Sequence, residues 1–242
     1  MAHHAALTFA DHAKLRVIRE HGAAFGDAVM SCPLFPAEFR SAQAHYPILF
    51  AKTGAGGRIA AIALFGLAQG ENLFLSDETW DASYVPLIMR AAPFLIGFAR
   101  EEDARAGGPA QVHIDLDHAR VSRTAGEPLF LEGGASAPVL QEAADILGQV
   151  HQGAADMAKL ADALEALDLL EPLLLTVTLN DGSDNRLVGF QAINEQKLNA
   201  LEADDLHRLQ SEGLLTPIFM AVAALGKIEW LATRKNQRLA PR

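Results

Sequence analysis

The sequence predicts an α+β fold, in which a mixed and largely antiparallel sheet packs with helices and the C-terminal part is helical. In the first half, apolar runs of strand length alternate with glycine-rich turns, which favours antiparallel hairpins over crossover connections. A second hairpin pattern surrounds residue 180, and segments of helix length follow it. Half of the 242 residues are hydrophobic, so the chain can bury a sizeable core.

The N-terminal segment, residues 1–32, is predicted as a unit apart from a single domain over 33–242. Within that segment the sequence predicts one helix, over 11–21. A short helix then begins around Pro36, because proline is tolerated in the first turn of a helix. This helix ends before Pro47, since the residue preceding a proline is disfavoured in the helical region.

Strands are predicted from apolar runs that end at turn residues. A glycine-rich turn at 53–57 joins two of them into a hairpin, and a polar turn at 180–185 joins two others. The predicted strands are 48–52, 58–65, 72–75, 94–99, 111–116, 129–131, 173–179 and 187–193. The front group and the later hairpin are expected to be able to share one sheet.

Helices are predicted where apolar residues recur at three- and four-residue spacing, or where proline and glycine mark an end. Pro93 ends a helix that begins at Pro86, and Gly213 ends another. The predicted helices are 86–92, 138–148, 154–170, 195–201, 203–212 and 218–232. A surface loop is predicted at 104–109.

Composition excludes several classes of protein. A net charge of −10 argues against nucleic acid and anionic lipid as partners, because both require a basic face. The most apolar windows, 59–68 and 91–99, are shorter than the roughly 18 residues that a membrane span needs, so no integral membrane segment is expected. The single cysteine, Cys32, fits a reducing compartment, and with the lack of a signal-peptide pattern it predicts a cytoplasmic protein.

Ordered matches to one protein family run through almost the whole chain. In the first half they are Glu38-Phe39, Tyr46-Pro47-Ile48, Asn72-Leu73-Phe74, Trp80, Tyr84-Val85-Pro86 and Pro93-Phe94. Later they are Ile114-Asp115-Leu116-Asp117, Arg120-Val121-Ser122, Glu127-Pro128-Leu129-Phe130, Leu170-Glu171-Pro172-Leu173, Gly189-Phe190 and Lys197-Leu198-Asn199-Ala200-Leu201. These matches are jointly specific because of their order, and by them the chain resembles the SapC family of bacterial proteins.

The resemblance implies an association with bacterial surface-layer proteins. Members are often encoded near TonB-dependent receptors, flavin-dependent halogenases and cupin-like oxygenases. The resemblance implies neither a reaction nor a set of catalytic residues. A membrane permease of peptide uptake shares the family's name, but the lack of a predicted spanning segment separates this chain from it.

An aromatic group within the matched residues is the predicted binding surface. Phe74, Trp80 and Tyr84 are expected to form the aromatic wall of a pocket, in which Asn72 and Arg90 supply polar contacts. Such a pocket suits a peptide or an aromatic side chain. The alternative interpretation is that these side chains pack in the core, as aromatic residues usually do. Exposure of Trp80 would favour binding.

A metal site is the alternative prediction. His113 and Asp115 lie two apart in a predicted strand and therefore face the same side, and two histidines with one carboxylate hold Fe(II) in non-haem oxygenases. The candidates for the third ligand are His118, His151 and His207. Oxygen ligands from Asp115 and Asp117 would suit Ca²⁺ or Mg²⁺ instead. Both patterns are common by chance, so no cofactor is expected.

The leading functional hypothesis is a soluble accessory or binding protein that recognises a peptide or protein partner in a cell-envelope or TonB-receptor-linked pathway. The alternative is a metal-dependent enzyme of the non-haem iron type that uses His113 and Asp115. The sequence contains neither a nucleophile elbow nor a phosphate loop, and it leaves open whether the protein is an enzyme. A homodimer is also considered, in which helix 218–232 buries its apolar face against a second copy.

Overall fold

The computed structural model describes residues 3–54, 56–76, 79–98 and 110–240, where the chain alternates between short strands and helices. The strands are β1 (His4–Ala6), β2 (Arg16–Val17), β3 (Ser31–Leu34), β4 (Ile48–Thr53), β5 (Arg58–Leu64), β6 (Leu75–Ser76), β7 (Thr79–Trp80), β8 (Phe94–Phe98), β9 (Ala110–Asp115), β10 (Val121–Ser122), β11 (Glu127–Pro128), β12 (Leu170–Pro172), β13 (Leu175–Thr178), β14 (Asp184–Leu187) and β15 (Phe190–Ile193). The helices are α1 (Phe9–His12), α2 (Phe39–Ala42), α3 (Leu87–Ala91), α4 (Pro138–Ala166), α5 (Glu195–Asn199), α6 (Ala203–Ser211), α7 (Leu215–Ala224) and α8 (Lys227–Leu239). The predicted α+β class is confirmed.

The largest sheet within the described residues has five strands in the order β12-β15-β4-β5-β3, and all of its pairings are antiparallel. Strands β4 and β5 form the predicted hairpin, with Ile48 opposite Ala63. Strand β15 comes from the second half of the chain and pairs with β4, where Phe190 lies opposite Ala51. The prediction that the two strand groups share one sheet is therefore confirmed.

Strand β5 lies between β4 and β3 in this sheet, and nearly all of its side chains are apolar. From Ile59 to Leu64 every residue except the half-buried Ala60 is buried. Helix α4 contacts β5, and helix α7 contacts β4 and β15, so helices cover the strands that carry the apolar runs. A strand covered in this way gives a continuous apolar run in the sequence rather than an alternating one.

The N-terminal segment docks on the rest of the chain through two small sheets. Strand β1 pairs with β9 at the edge of the β1-β9-β8 sheet, and β2 lies between β10 and β11. The helix predicted over 11–21 is wrong, because only α1 and β2 occupy that region. Thr8 caps α1, and the alternation of buried Leu15 and Val17 with more exposed neighbours then favours an extended chain.

Helix α4 corrects the prediction of two helices, 138–148 and 154–170. The structure has one helix of 29 residues, which continues through the expected break. Gly153 lies within it, where a Cβ atom would be 2.6 Å from Cγ of Phe35. The glycine therefore admits the Phe35 ring against the helix and does not end the helix.

Other strand predictions need smaller corrections. Residues 72–75 were expected to be a strand, but they form a turn that leads into β6, and 129–131 contributes only an isolated bridge from Phe130 to Ser136. The later hairpin is present as β13–β14, but its second strand is Asp184–Leu187 and not the predicted 187–193. Most of 187–193 is β15, which pairs with β12 and β4 in the large sheet. The predicted loop at 104–109 and the end of the strand at residue 99 lie outside the described residues.

The C-terminal helices α7 and α8 pack one face on the core. The buried residues of this face are Ile218, Ala221, Ala224, Ile228 and Leu231. By length and composition the segment Leu215–Leu239 is also apolar enough to cross a membrane, a property that core helices share, and 33% of its apolar window is buried here. Part of the face that the homodimer prediction used therefore packs on the same chain, whereas Phe219 and Trp230 of these helices stay exposed, and the homodimer stays a prediction.

Candidate functional site

The aromatic block, defined as Asn72, Phe74, Trp80 and Tyr84, lies largely in the core. Phe74 is fully buried, Trp80 is 8% exposed and Asn72 is 4% exposed, whereas Tyr84 is half-buried. The indole Nε1 of Trp80 donates to the hydroxyl of Tyr46 at 2.8 Å. The burial of Trp80 favours the packing interpretation over a binding wall.

Asn72 stabilises the turn that precedes β6. Its Nδ2 donates to the carbonyl of Asp27 at 2.9 Å, and its Oδ1 accepts from the N–H of Phe74 at 2.9 Å. From α8, Arg234 and Arg238 donate to main-chain carbonyls of the same turn at 3.1 and 3.2 Å. Side chains thus satisfy the N–H of Phe74 and the carbonyl of Leu73 and add donors to the carbonyls of Asp27 and Asn72, which is a structural role.

Glu38 is a buried carboxylate that connects Tyr84 to helix α3. It accepts from the Tyr84 hydroxyl at 2.8 Å, from the N–H of Leu87 at 2.8 Å and from the N–H of Phe35 at 2.9 Å. Burial raises the pKa of Glu38, and these hydrogen bonds oppose the rise only in part. Burial and the nearby carboxylate likewise raise the pKa of Tyr84. The polar groups of the block, together with Glu38, therefore find their partners within the protein.

Arg90 is the predicted residue that lies at an accessible cleft. It is on α3, and its Nη2 lies 3.2 Å from Oε1 of Glu142 on α4. Arg19 contacts the other oxygen of Glu142 at 2.7 Å, and the three side chains are between 37% and 47% exposed. The hydrogen bond from Arg19 lowers the pKa of Glu142, burial opposes it in part, and Arg90 adds to the lowering.

Arg120 also lines this cleft, but it is only 3% exposed. Its Nη2 lies 2.7 Å from Oδ2 of Asp27, and its Nη1 donates to the carbonyls of Ile18, at 3.2 Å, and of Glu20. The Nε of Arg120 is buried and has no hydrogen-bond partner in the part of the chain that the structure describes. The guanidinium is therefore fixed in place by its Nη groups while one donor stays unsatisfied.

Asp27 balances the charge of Arg120 inside the protein. Nδ1 of His21 lies 3.1 Å from its Oδ2, and the N–H of Gly22 donates to the same oxygen at 2.9 Å. Burial alone would raise the pKa of Asp27, but the hydrogen bonds from His21, Gly22 and Arg120, together with the Arg120 charge, hold it below its ordinary value. Asp27 is therefore ionised at neutral pH.

Together these side chains form what we call the arginine cleft, consisting of Arg19, His21, Arg90, Arg120 and Glu142. Its volume is about 70 Å³, which is room for a group of carboxylate size or about two water molecules. Apolar residues of α3, α4 and β2 complete its walls. Such a concentration of guanidinium groups in a protein of net charge −10 is suited to an anionic group.

An apolar groove with a volume of about 470 Å³ adjoins the arginine cleft. Its walls come from α3, β8 and α4, and it shares Ala92 and Phe94 with the cleft. We define the apolar groove by its residues Ile88, Pro93, Leu95, Leu147 and Val150. The cleft and the groove therefore offer adjacent polar and apolar contacts to one ligand.

The two residues of the metal alternative lie on β9, as predicted. The His113 ring lies so close over Gly97 of β8 that a Cβ atom there would collide with it, and its Nε2 is buried without a partner in the described residues. Asp115 borders the apolar groove, and its Oδ1 accepts from the N–H of Asp117 at 3.1 Å. Among residues 3–54, 56–76, 79–98 and 110–240, no group of three His, Cys, Asp or Glu side chains is arranged to hold a metal ion.

Sequence reasoning identified only Arg90 among the residues of the arginine cleft. The other members come from distant segments, and the Arg19–Glu142 contact spans 123 positions. No local motif connects such residues, so pattern analysis could not group them. One sequence pattern did point to the groove. The apolar region from Pro86 to Phe98 is interrupted by Arg90 and Pro93, which is not typical of a segment that is buried throughout.

Comparison with known proteins identifies one family. The model of the SapC family matches residues 7–231, which include all residues of the arginine cleft and of the apolar groove. Arg234 and Arg238, which bind the turn at Asn72, lie beyond the match. No curated protein and no solved structure matches the chain. Because the match spans nearly the whole sequence, the chain belongs to the SapC family.

Proposed function

We propose that this protein is a binding protein that recognises a peptide segment of a protein partner in a cell-envelope or TonB-receptor-linked pathway. The observation that carries the proposal is the apolar groove beside the arginine cleft. At about 470 Å³, the groove falls within the range of roughly 300–1,000 Å³ that is usual for ligand pockets. The implied association of the family with surface-layer proteins supports an envelope-linked partner.

The groove walls favour an apolar side chain as the occupant. Ile88, Leu95 and Val150 are only half-buried, so a ligand in the groove removes apolar surface from water. Each square ångström of apolar surface that is covered contributes about 25 cal/mol. These walls belong to the regular elements α3, β8 and α4. Because such elements are fixed by the fold, the groove is largely formed before a ligand arrives.

The charge distribution adds specificity to this contact. The protein as a whole carries −10 and repels acidic molecules, but the arginine cleft presents guanidinium groups at one end of the groove. Complementary charge of this kind selects partners and fixes their orientation more than it adds raw affinity. A peptide that combines an apolar side chain with a negative group matches both parts.

Fluorescence anisotropy with fluorescein-labelled hexapeptide pools, rich in leucine and phenylalanine or in serine, tests the proposal. The apolar pools are expected to bind the protein, and the serine pools are not. Val150→Arg places a charge in the groove and is expected to reduce binding by more than about tenfold, because an unpaired charge against apolar surface is costly. The control is Gln149→Arg, an exposed neighbour on the same helix, which should bind as the wild type does.

Two results would contradict the groove as the binding surface. Equal binding of apolar peptides by the Val150→Arg and Gln149→Arg proteins would place the contact elsewhere. If no apolar pool bound, the proposal that the ligand is a peptide would be wrong. A photo-cross-linking residue at position 150, with position 149 as control, tests in cells whether the partner is linked to the envelope. A cross-linked partner found only in the cytosolic fraction would contradict that part of the proposal.

A further inference from the structure

The arginine cleft provides the ligand of the apolar groove with a second contact of different chemistry. We propose that the arginine cleft binds a carboxylate group of the peptide in the groove, and that Glu142 occupies the carboxylate position while the protein is unliganded. This inference rests on the proposed peptide-binding function and specifies the charged group that the ligand must carry.

The geometry around Glu142 is that of a bound carboxylate. Arg19 and Arg90 approach different oxygens of the same group, at 2.7 and 3.2 Å. Charge-assisted hydrogen bonds of this kind are stronger and more directional than neutral ones. All three side chains are more than a third exposed, so Glu142 can leave the two arginines and another carboxylate can take its place.

Arg120 gives the cleft a fixed donor. Its Nη groups are held by Asp27 and by main-chain carbonyls, whereas its Nε is buried and has no partner within the described residues. A buried donor without an acceptor is unfavourable. Arg120 lines the cleft, so we expect a carboxylate that enters the cleft to approach this guanidinium and to supply the missing acceptor. One rigid arginine and two adjustable arginines therefore surround the same small volume.

The charge balance leaves room for one more negative group. Arg19, Arg90 and Arg120 contribute three positive charges, and Asp27 and Glu142 contribute two negative ones, which leaves one positive charge within the cleft before His21, and before Glu127 and Asp115 at its margins, are counted. Glu127 approaches Arg19 only at 4.0 Å, and its side chain is 54% exposed. Its influence on the cleft is therefore weakened by solvent.

The size of the cleft restricts what enters it. About 70 Å³ accepts a carboxylate but not a whole residue, so the remainder of the ligand lies outside the cleft, and the adjoining apolar groove offers it room. Ala92 and Phe94 border both spaces, which places the two contacts next to each other. The ligand therefore carries a carboxylate beside an apolar side chain, either as a C-terminal residue or as an aspartate or glutamate next to one.

Isovalerate, a branched apolar carboxylate, tests the cleft without any peptide. In NMR spectra, the Nε–Hε resonance of Arg120 is expected to shift in a saturable way with isovalerate and to stay in place with isovaleramide. Sodium chloride at the same concentration controls for a general anion response. A shift of equal size with chloride or with the amide would overturn the carboxylate assignment.

Two variants test the roles of the cleft residues in opposite directions. Arg90→Gln is expected to weaken isovalerate binding about tenfold, as the loss of a charged hydrogen bond does. Glu142→Gln is expected to strengthen it several-fold, because the resident competitor is removed. Arg208→Gln is the matched control, since Arg208 also pairs with a carboxylate, Asp205 at 3.1 Å, and is similarly exposed, but lies outside the cleft. If Glu142→Gln bound isovalerate more weakly than the wild type, Glu142 would serve only to hold the arginines in place. The proposal that the ligand carboxylate replaces Glu142 would then be wrong.

Peptides then identify the source of the carboxylate. A hexapeptide ending in leucine is compared as free acid, as C-terminal amide, and as an amide with glutamate before the leucine. Preference for the first indicates a chain terminus, and preference for the third indicates an internal acidic residue. If acid and amide bind alike and Arg90→Gln changes neither, the cleft inference is wrong while the proposed function stands. If no peptide binds but isovalerate does, the proposed function fails and the carboxylate site stands.

Discussion

The aromatic block and the arginine cleft are neighbours in the fold, since the rings of Trp80 and His21 lie 5.4 Å apart, but they satisfy their polar groups differently. In the block, Asn72 finds partners inside the protein, and so does Glu38, which accepts from the Tyr84 hydroxyl of the block. In the cleft, Arg120 keeps an unsatisfied donor and the Glu142 pairs are open to solvent. The difference teaches that the closed network stabilises the fold, whereas the open one is available to a ligand.

The largest expected effect concerns Trp80, whose role in the core we can test directly. Trp80→Ala removes a buried ring and is expected to lower the free energy of unfolding by about 3–5 kcal/mol, measured by urea denaturation. Trp230→Ala is the control, because Trp230 is 37% exposed and the loss there should be smaller. If Trp80→Ala left stability unchanged but abolished peptide binding, the block rather than the cleft would be the recognition surface.

Asn72→Ala should have the next largest effect. The change leaves the N–H of Phe74 buried without its partner, whereas the carbonyl of Asp27 still accepts from the N–H of Val29. The unsatisfied donor and the lost hydrogen bond together are expected to cost about 2 kcal/mol in unfolding free energy. The exposed helix cap Asn194 provides a comparison, because Asn194→Ala should cost about 1 kcal/mol. The free energy of unfolding of both variants is measured by urea denaturation. If it fell by the same amount in both, burial would not increase the contribution of the Asn72 hydrogen bonds to stability.

The buried carboxylates that pair with the two regions, Asp27 with Arg120 of the cleft and Glu38 with Tyr84 of the block, should make stability depend on pH with opposite signs. Asp27 has a pKa below its ordinary 3.8, so its contribution to stability is present above pH 3.8 and is lost as the pH falls through the lowered pKa. Glu38 has a pKa above its ordinary 4.5, so its contribution is present below pH 4.5 and is lost as the pH rises through the raised pKa. Each slope is at most about 1.4 kcal/mol per pH unit.

Urea denaturation of the wild type, Asp27→Asn and Glu38→Gln over a range of pH separates these contributions. The difference between wild type and Asp27→Asn should shrink as the pH falls below 3.8. Glu38→Gln should gain stability relative to the wild type as the pH rises above 4.5. Slopes of the same sign in both comparisons would contradict the contrast between the regions.

The smallest expected effects on stability lie in the cleft itself. Arg90→Gln and Glu142→Gln break pairs that are more than a third exposed, so each should change the free energy of unfolding by less than about 1 kcal/mol. The same variants are the ones expected to change carboxylate affinity. If either variant lost more stability than Asn72→Ala, the cleft would have a structural role. The contrast between a block that stabilises the fold and a cleft that is available to a ligand would then be wrong.

Local patterns predicted much of the fold. The hairpin of β4 and β5 and the short helix α3 follow from turn residues and prolines a few positions away, which act within the segment that they shape. Helix α4 was missed as one element because Gly153 usually disfavours a helix interior, and the reason for it, the Phe35 ring, is more than a hundred positions distant. Tertiary packing there overrides local propensity.

The candidate site was less predictable for the same reason. Aromatic residues such as Trp80 attract attention in a sequence, but their identity does not reveal whether they face solvent or the core. Arg120 and Asp27 form a buried pair across 93 positions, and neither has a local pattern that suggests it. Arg90 could be found because it interrupts an apolar region, whereas Arg19 and Glu142 each look like ordinary surface residues.

The contacts that α8 makes with the turn at Asn72 have a consequence for biosynthesis. Arg234 lies 161 positions after the carbonyl that it binds, that of Leu73. At a translation rate of about 5–20 residues per second, the turn waits roughly 8–32 seconds on the ribosome before this arginine is made. During that interval the turn carbonyls depend on water, and the aromatic block can close fully only when synthesis of α8 is complete. Folding of the block is therefore coupled to the synthesis of α8.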